Sequence, residues 1–256
     1  MKADKAAPLT LARRQRAWYR LHLGRLLLES ECTLLGEVLP NLFGYHLIQV
    51  GRLADADLLS TSRIGHRVVL DADVELNNPP PNLYARPDTL PINSDSVDVL
   101  VLPHTLEFEA DPHEVLREAE RVLIAEGSIV ILGFNPWSLW GLWRLFLWRT
   151  RIPPWCGRFM SLTRIRDWLA LLGFDEVQVV PYFFRPPLHH LGVMEKLKVM
   201  ERLGARWWPK LAGAYILVAK KRMATLTPIK PRWRRQRSLV NAGMAEPTAR
   251  NMRRDA

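Results

Sequence analysis

The sequence predicts an α/β fold built around a mainly parallel sheet, and three consecutive stretches predict it. DSVDVLVLPHTLEF is an apolar run ending at a histidine, DPHEVLREAERVL is a capped amphipathic helix, and GSIVILGFNP is a second apolar run. Strand, crossover helix and strand within about thirty-five residues make the βαβ unit of an open parallel sheet. Val97–Leu102 is close to continuously apolar rather than alternating, as expected for a central strand covered on both faces. Ligands of such sheets sit outside the carboxyl ends of the strands, where Leu102-Pro103-His104 and Gly133-Phe134-Asn135 fall.

The elements follow in order. Trp18, Leu21, Leu26 and Leu28, set among Arg13, Arg14, Arg16, Arg20 and Arg25, predict an accessory helix within residues 1–40, placed to cover the site. A first strand spans His46–Val50 and runs into the turn Gly51-Arg52-Leu53-Ala54-Asp55; a second spans Arg67–Leu70 and ends at Asp71. Asp111 is a helix N-cap, with Pro112 at the first helical position and Glu114 completing a capping box. Val115, Leu116, Ala119, Val122 and Leu123 form the inner face of that helix, and Glu126-Gly127 turns the chain into the next strand. SLTRIRDWLALLGF reads as a helix capped by Ser161, with Ile165, Trp168, Leu169 and Leu172 inward and Gly173 as its stop. Val177–Tyr182 and Ala214–Ala219 are the last strands, separated by an insertion over residues 186–210.

Composition sets the outer bounds. At 256 residues and 48% hydrophobic content, the chain can bury one substantial core. Cys32 and Cys156 have no metal-ligand spacing, and the adjacent pair His189-His190 is a poor chelator, so no metal is expected. No signal-peptide or membrane-spanning run is present, which predicts a cytoplasmic protein, soluble or peripheral to a membrane. The net charge is +10, and ten Lys or Arg against Glu246 and Asp255 lie from Lys221 onward. Residues 221–256 therefore read as a basic disordered tail, able to hold nucleic acid or anionic membrane weakly by charge, or serving only solubility. Ten tryptophans are present, and Trp137, Trp140, Trp143 and Trp148 crowd into WSLWGLWRLFLWRTR. Such a segment packs against the domain, closes over the cleft as a lid, or lies in a membrane interface.

The Leu90-Pro91 turn, the strand at 97, the glutamate-bearing loop, the LREAERVL helix and the glycine turn occur in an order that resembles the C-terminal half of class I S-adenosylmethionine-dependent methyltransferases of the type 11 family. YHLIQVG, GFNPWSLWG and the basic tail are similar to a small group of uncharacterised bacterial methyltransferase-like proteins. The resemblance implies a Rossmann-like, seven-stranded sheet with an antiparallel last strand over residues 41–220, a Trp-rich insertion at 136–160, and S-adenosylmethionine as cofactor. It assigns cofactor binding to Gly51, Asp71, Asp88 and His104. Asp71 would accept the hydroxyl protons of a ribose diol, with Asp73 as the fallback and a plain turn residue as the other reading. The sequence departs from the family pattern in the first motif: one glycine of the usual three remains, Gln49 stands at the acidic position, and Arg86 stands where an acid commonly meets the adenine, with Asp88 near enough to substitute.

His104 is the candidate general base, an imidazole at a strand end with an ordinary pKa near neutrality, or else a residue that only lines the pocket. Glu107, Asn135 and Trp140 are candidates for the substrate pocket; Glu107 also reads as a loop cap, and Asn135 before Pro136 as a turn former. Two functions follow. One is a methyltransferase that acts on an unidentified acceptor by direct displacement, which demands alignment more than a fixed catalytic residue. The other is a catalytically inactive methyltransferase-fold scaffold that binds through its basic tail and Trp-rich segment.

Overall fold

The computed structural model describes residues 8–54, 56–72, 82–147, 152–187, 204 and 207–222, all within one compact unit, Met1–Met223. Asp55, Asp73, Trp148, the His189-His190 pair and the tail from residue 223 lie outside the described residues. Among the described residues seven strands form one sheet: β1 (His46–Val50), β2 (His66–Asp71), β3 (Leu83–Tyr84), β4 (Val97–Pro103), β5 (Leu123–Phe134), β6 (Phe174–Tyr182) and β7 (Ala214–Lys221). Their order is β3-β2-β1-β4-β5-β7-β6, parallel from β3 to β5, with β7 antiparallel to both of its neighbours. The order reverses between β1 and β4, so the crevice above that pair is the switch point where such sheets take ligands.

The helices are α1 (Pro8–Tyr19), α2 (His22–Val38), α3 (Pro112–Val122), α4 (Leu139–Leu147) and α5 (Leu162–Leu171). On one face of the sheet Leu47, Val99, Val101, Val130 and Leu132 pack against Leu27, Leu35 and Val38 of α2, with Trp18, Trp140, Trp155 and Phe183 joining them. On the other, Ile48, Leu100, Leu102, Ile129 and Leu217 pack against Leu116 and Ala119 of α3 and Ile165 and Leu169 of α5. Between β1 and β2 the chain forms turns rather than a helix, and buries Leu53, Leu58, Leu59 and Ile64 on the first face.

Four expectations differ from what is observed. The accessory helix is two helices: the chain folds back after Tyr19, and Gly24 comes so close to the Trp18 carbonyl that a Cβ there would stand 2.3 Å from its oxygen. The capping box at Asp111 is not closed, because its carboxylate accepts the N–H of His113 and Glu114 is engaged by Arg117 at 2.7 Å. β5 begins at Leu123, before the expected turn, and absorbs it as a bulge; pairing passes from Val97–Leu123 to Val99–Ser128, with Glu126 at φ 64°. Lys221 closes β7 opposite Phe174 instead of opening the tail.

Leu100 is fully buried on β4, between α3 and α5. Leu100→Ala should therefore cost about 2–5 kcal/mol, read from the urea midpoint at unchanged slope.

Candidate functional site

A cavity of about 60 Å³ opens at the carboxyl rim, at the switch point between β1 and β4. It is lined by Gly51, Asp71 and Pro103-His104-Thr105 at the strand ends, by Ala85, Pro87, Phe108 and Glu109 from the loops, and by Gln15 from α1. Gly51 has φ 90°, a region that favours glycine, and a Cβ there would meet the Thr105 hydroxyl at 3.1 Å. The turn is braced from three sides. The Gly51 N–H donates to the Leu70 carbonyl at 2.8 Å, Gln49 Nε2 donates to the Gly51 carbonyl at 2.9 Å, and Thr105 Oγ1 donates to the Val50 carbonyl at 2.6 Å. Gln49, at the position where the family carries an acid, thus holds the glycine turn.

Asp71 ends β2 in the cavity wall, where its carboxylate forms a buried ion pair with Arg16 of α1. One residue earlier, Gln15 is buried with its Nε2 unpartnered. Asp88 is turned to Arg86, which donates to both its carboxylate oxygens at 3.0 and 2.6 Å, and only Pro87 of that turn reaches the cavity. Arg86 is well exposed, Arg52 lies in the cavity lining, and Arg16 of the N-terminal helix brings a guanidinium to the acid at 71.

His104 follows β4 at φ 51°, sparsely populated for a residue with a Cβ, and is fully buried. Its ring stacks on Phe134 with centroids 4.0 Å apart. Nε2 donates to Glu31 Oε1 at 2.9 Å, and Nδ1 donates to Glu107 Oε1 at 3.3 Å. Burial pushes the imidazole down; the Glu107 and Glu31 carboxylates, by charge and by hydrogen bond, more than reverse this and raise it from 6.5 to about 9. The side chain is thus an imidazolium at neutral pH with both nitrogens engaged. It has no lone pair for the general-base role that its position in the sequence suggested.

Glu31 Oε1 also accepts the hydroxyls of Tyr19 and Tyr182, each at 3.2 Å. Burial first, then the Glu31 charge, push both phenols well above their ordinary value. Glu107 Oε1 accepts the Phe134 N–H at 2.7 Å, while the second oxygen of each glutamate accepts no hydrogen bond. The cluster ties α1, α2, β4, β5 and β6 together directly beneath the cavity.

The three residues expected in a substrate pocket do other work. Glu107 belongs to the buried cluster. Asn135 is a turn former: its carbonyl oxygen accepts the Trp137 N–H at 3.1 Å, and its Nδ2 donates to the carbonyls of Lys210 and Ala212 at 2.8 and 3.0 Å. Trp140 is buried among Phe134, Trp155 and Phe183, with Nε1 donating to the Arg185 carbonyl at 2.9 Å. Glu31, Gln15, Arg16 and Tyr19 were not anticipated. Glu31 carried a signal, because it falls within the buried stripe Leu23, Leu27, Glu31, Leu35, where a charged residue needs partners.

Comparison with known proteins agrees with this fold. A family description of a methyltransferase domain matches residues 69–131. The uncharacterised protein YafS of Escherichia coli K12 is 33% identical over 215 residues, which cover 83% of this chain and 84% of that one. An S-adenosylmethionine-dependent methyltransferase of Thermotoga maritima, described as a possible histamine N-methyltransferase, superposes with a TM-score of 0.60 at 16% identity, over 84% of this chain and all of the other. A corresponding enzyme of Archaeoglobus fulgidus gives 0.53 at 19% identity, over 75% and 94%. Among the described residues no group of three or more His, Cys, Asp or Glu is placed to hold a metal ion.

The folded pKa of His104 lies above its unfolded value, so its contribution to stability is complete below pH 6.5 and disappears as pH rises through about 9. Urea unfolding across this window should show a loss on the order of 3 kcal/mol. His104→Gln should be less stable at pH 6 and nearly flat over the same range.

Proposed function

We propose that this chain, which belongs to the same family as YafS and matches a methyltransferase domain over residues 69–131, transfers a methyl group from S-adenosylmethionine to an acceptor by direct displacement. The observation that carries the proposal is the rim cavity enclosed by Gly51, Asp71 and His104 at the switch point of the sheet. When bound, S-adenosylmethionine supplies an electrophilic methyl group. The chain's own part is to hold and align. The Gly51 turn allows close backbone approach, the Asp71 carboxylate suits a ribose diol, and the unpartnered Gln15 amide is a donor waiting in the cavity lining. His104 is a positioning residue in this scheme, fixing the end of β4 against the two glutamates rather than accepting a proton.

In this reading the site is in a closed form. At about 60 Å³ the cavity is smaller than the roughly 300 Å³ that small-molecule pockets usually reach, and Arg16 takes the place at Asp71 that a diol would occupy. Cofactor entry therefore requires α1 to draw Arg16 off Asp71. The same ion pair favours a second reading, a methyltransferase fold retained as a binding module, in which the closure is permanent. We place the protein in the cytoplasm, where free Cys32 and Cys156 stay reduced, with its basic tail supplying a weak charge-based contact to nucleic acid or anionic lipid.

Calorimetric titration with S-adenosylmethionine separates the readings. Wild type should bind, Arg16→Gln should bind more tightly because the competing cation is removed, and Asp71→Asn should bind about ten- to a hundredfold more weakly. No heat at millimolar cofactor for either wild type or Arg16→Gln leaves only the binding module.

A further inference from the structure

The outer face of α4 is an apolar surface that the site does not use. Trp140 and Gly141 are its buried positions, while Trp137, Leu145 and Phe146 are 75, 65 and 75% exposed. Leu142 and Trp143 beside them are about half exposed. A second exposed apolar set, Trp207, Trp208 and Leu211, precedes β7. Asn135 staples the two together, bonding to the Trp137 amide on one side and to the Lys210 and Ala212 carbonyls on the other. Ala214 then pairs with Phe134, so both sets lie on the carboxyl rim of the sheet, the edge that also carries the cavity. An apolar margin of this kind on a folded protein marks an interaction surface.

The chemistry of the margin indicates what it meets. Four of its exposed side chains are tryptophans, whose rings favour the boundary between hydrocarbon and water. The chain segments that carry it bear charge of one sign. No Asp or Glu occurs from Gly127 to Arg166 or from Arg202 to Ala245, whereas six arginines fall in the first of these stretches. Arg14 and Arg144 lie about the Cys156 thiol, Arg158 acts on Arg144, and Lys210 is exposed beside Leu211. A surface that offers hydrocarbon under negative headgroups complements both features. With nine residues, α4 is long enough to lie in such a layer, and no helix among the described residues is long and apolar enough to cross a membrane.

We propose that the rim formed by α4 and the Trp207–Leu211 segment docks the protein on an anionic lipid bilayer, with Trp137, Leu145 and Phe146 inserted at headgroup level. The docking does not depend on methyl transfer, and cofactor titration leaves it standing or falling on its own.

The test is co-sedimentation of the full chain with vesicles of phosphatidylcholine containing about 30% phosphatidylglycerol, at about 0.5 M salt so that the attraction of the basic tail is screened. Wild type should sediment with these vesicles and less with pure phosphatidylcholine. The triple variant Trp137→Ser, Leu145→Ser, Phe146→Ser should partition at least about tenfold less while melting with wild type, since these side chains already touch water. Equal partition of the variant and wild type overturns the proposal, because the exposed apolar side chains of the rim then have no part in the binding. Failure of wild type to sediment, combined with self-association that the triple variant abolishes, also overturns it and assigns the rim to a second copy of the chain.

Discussion

Two carboxylates held out of water need a positive charge between them, and the rim of this sheet is arranged around that need. Glu31 and Glu107 approach His104 from opposite sides, and the resulting imidazolium is the cation that makes their burial tolerable. Because each partner sits on a different element, the requirement is also a set of positional constraints. α2 must bring Glu31 over β4, Glu107 must reach back to the Phe134 amide on β5, and Tyr182 must end β6 within reach of Glu31. Strain at His104, with its positive φ, is held in place by the same contacts.

The cluster accounts for the character of the rim above it. The strand ends are tied together by this cluster, and the opening at the switch point is lined by the turns that follow them and by one residue of a helix. That helix is α1. Its Arg16 neutralises Asp71, and its Gln15 brings a polar group without a partner into the lining. A fold that can be assembled from strand pattern alone thus acquires its individuality from the residues that precede the sheet.

Much of the sheet was legible in the sequence because buried parallel strands announce themselves. The bounds of β1 are those expected, β4 extends one residue further to Pro103, and the helix from Pro112 follows from its cap and inner face. The family's glycine turn was legible at Gly51, although the role of Gln49 as its brace was not, since a glutamine on a strand gives no sign of bonding two residues onward. The roles of His104, Glu107 and Asn135 could not be read locally. His104 looked reactive because an imidazole at a strand end usually has a free nitrogen, and the partner that removes it lies 73 positions earlier. Asn135 is decided by carbonyls more than seventy residues later. Trp140 and its exposed neighbours share one segment, and composition alone does not say which of them turn inward.

Tyr19 stands one helical turn beyond Arg16 and reaches down to Glu31. A swing of α1 that uncovers Asp71 also lifts this phenol away and strips a hydrogen bond from a buried carboxylate. Occupancy of the rim and the solvation of an interior carboxylate are thereby coupled across the thickness of a single helix.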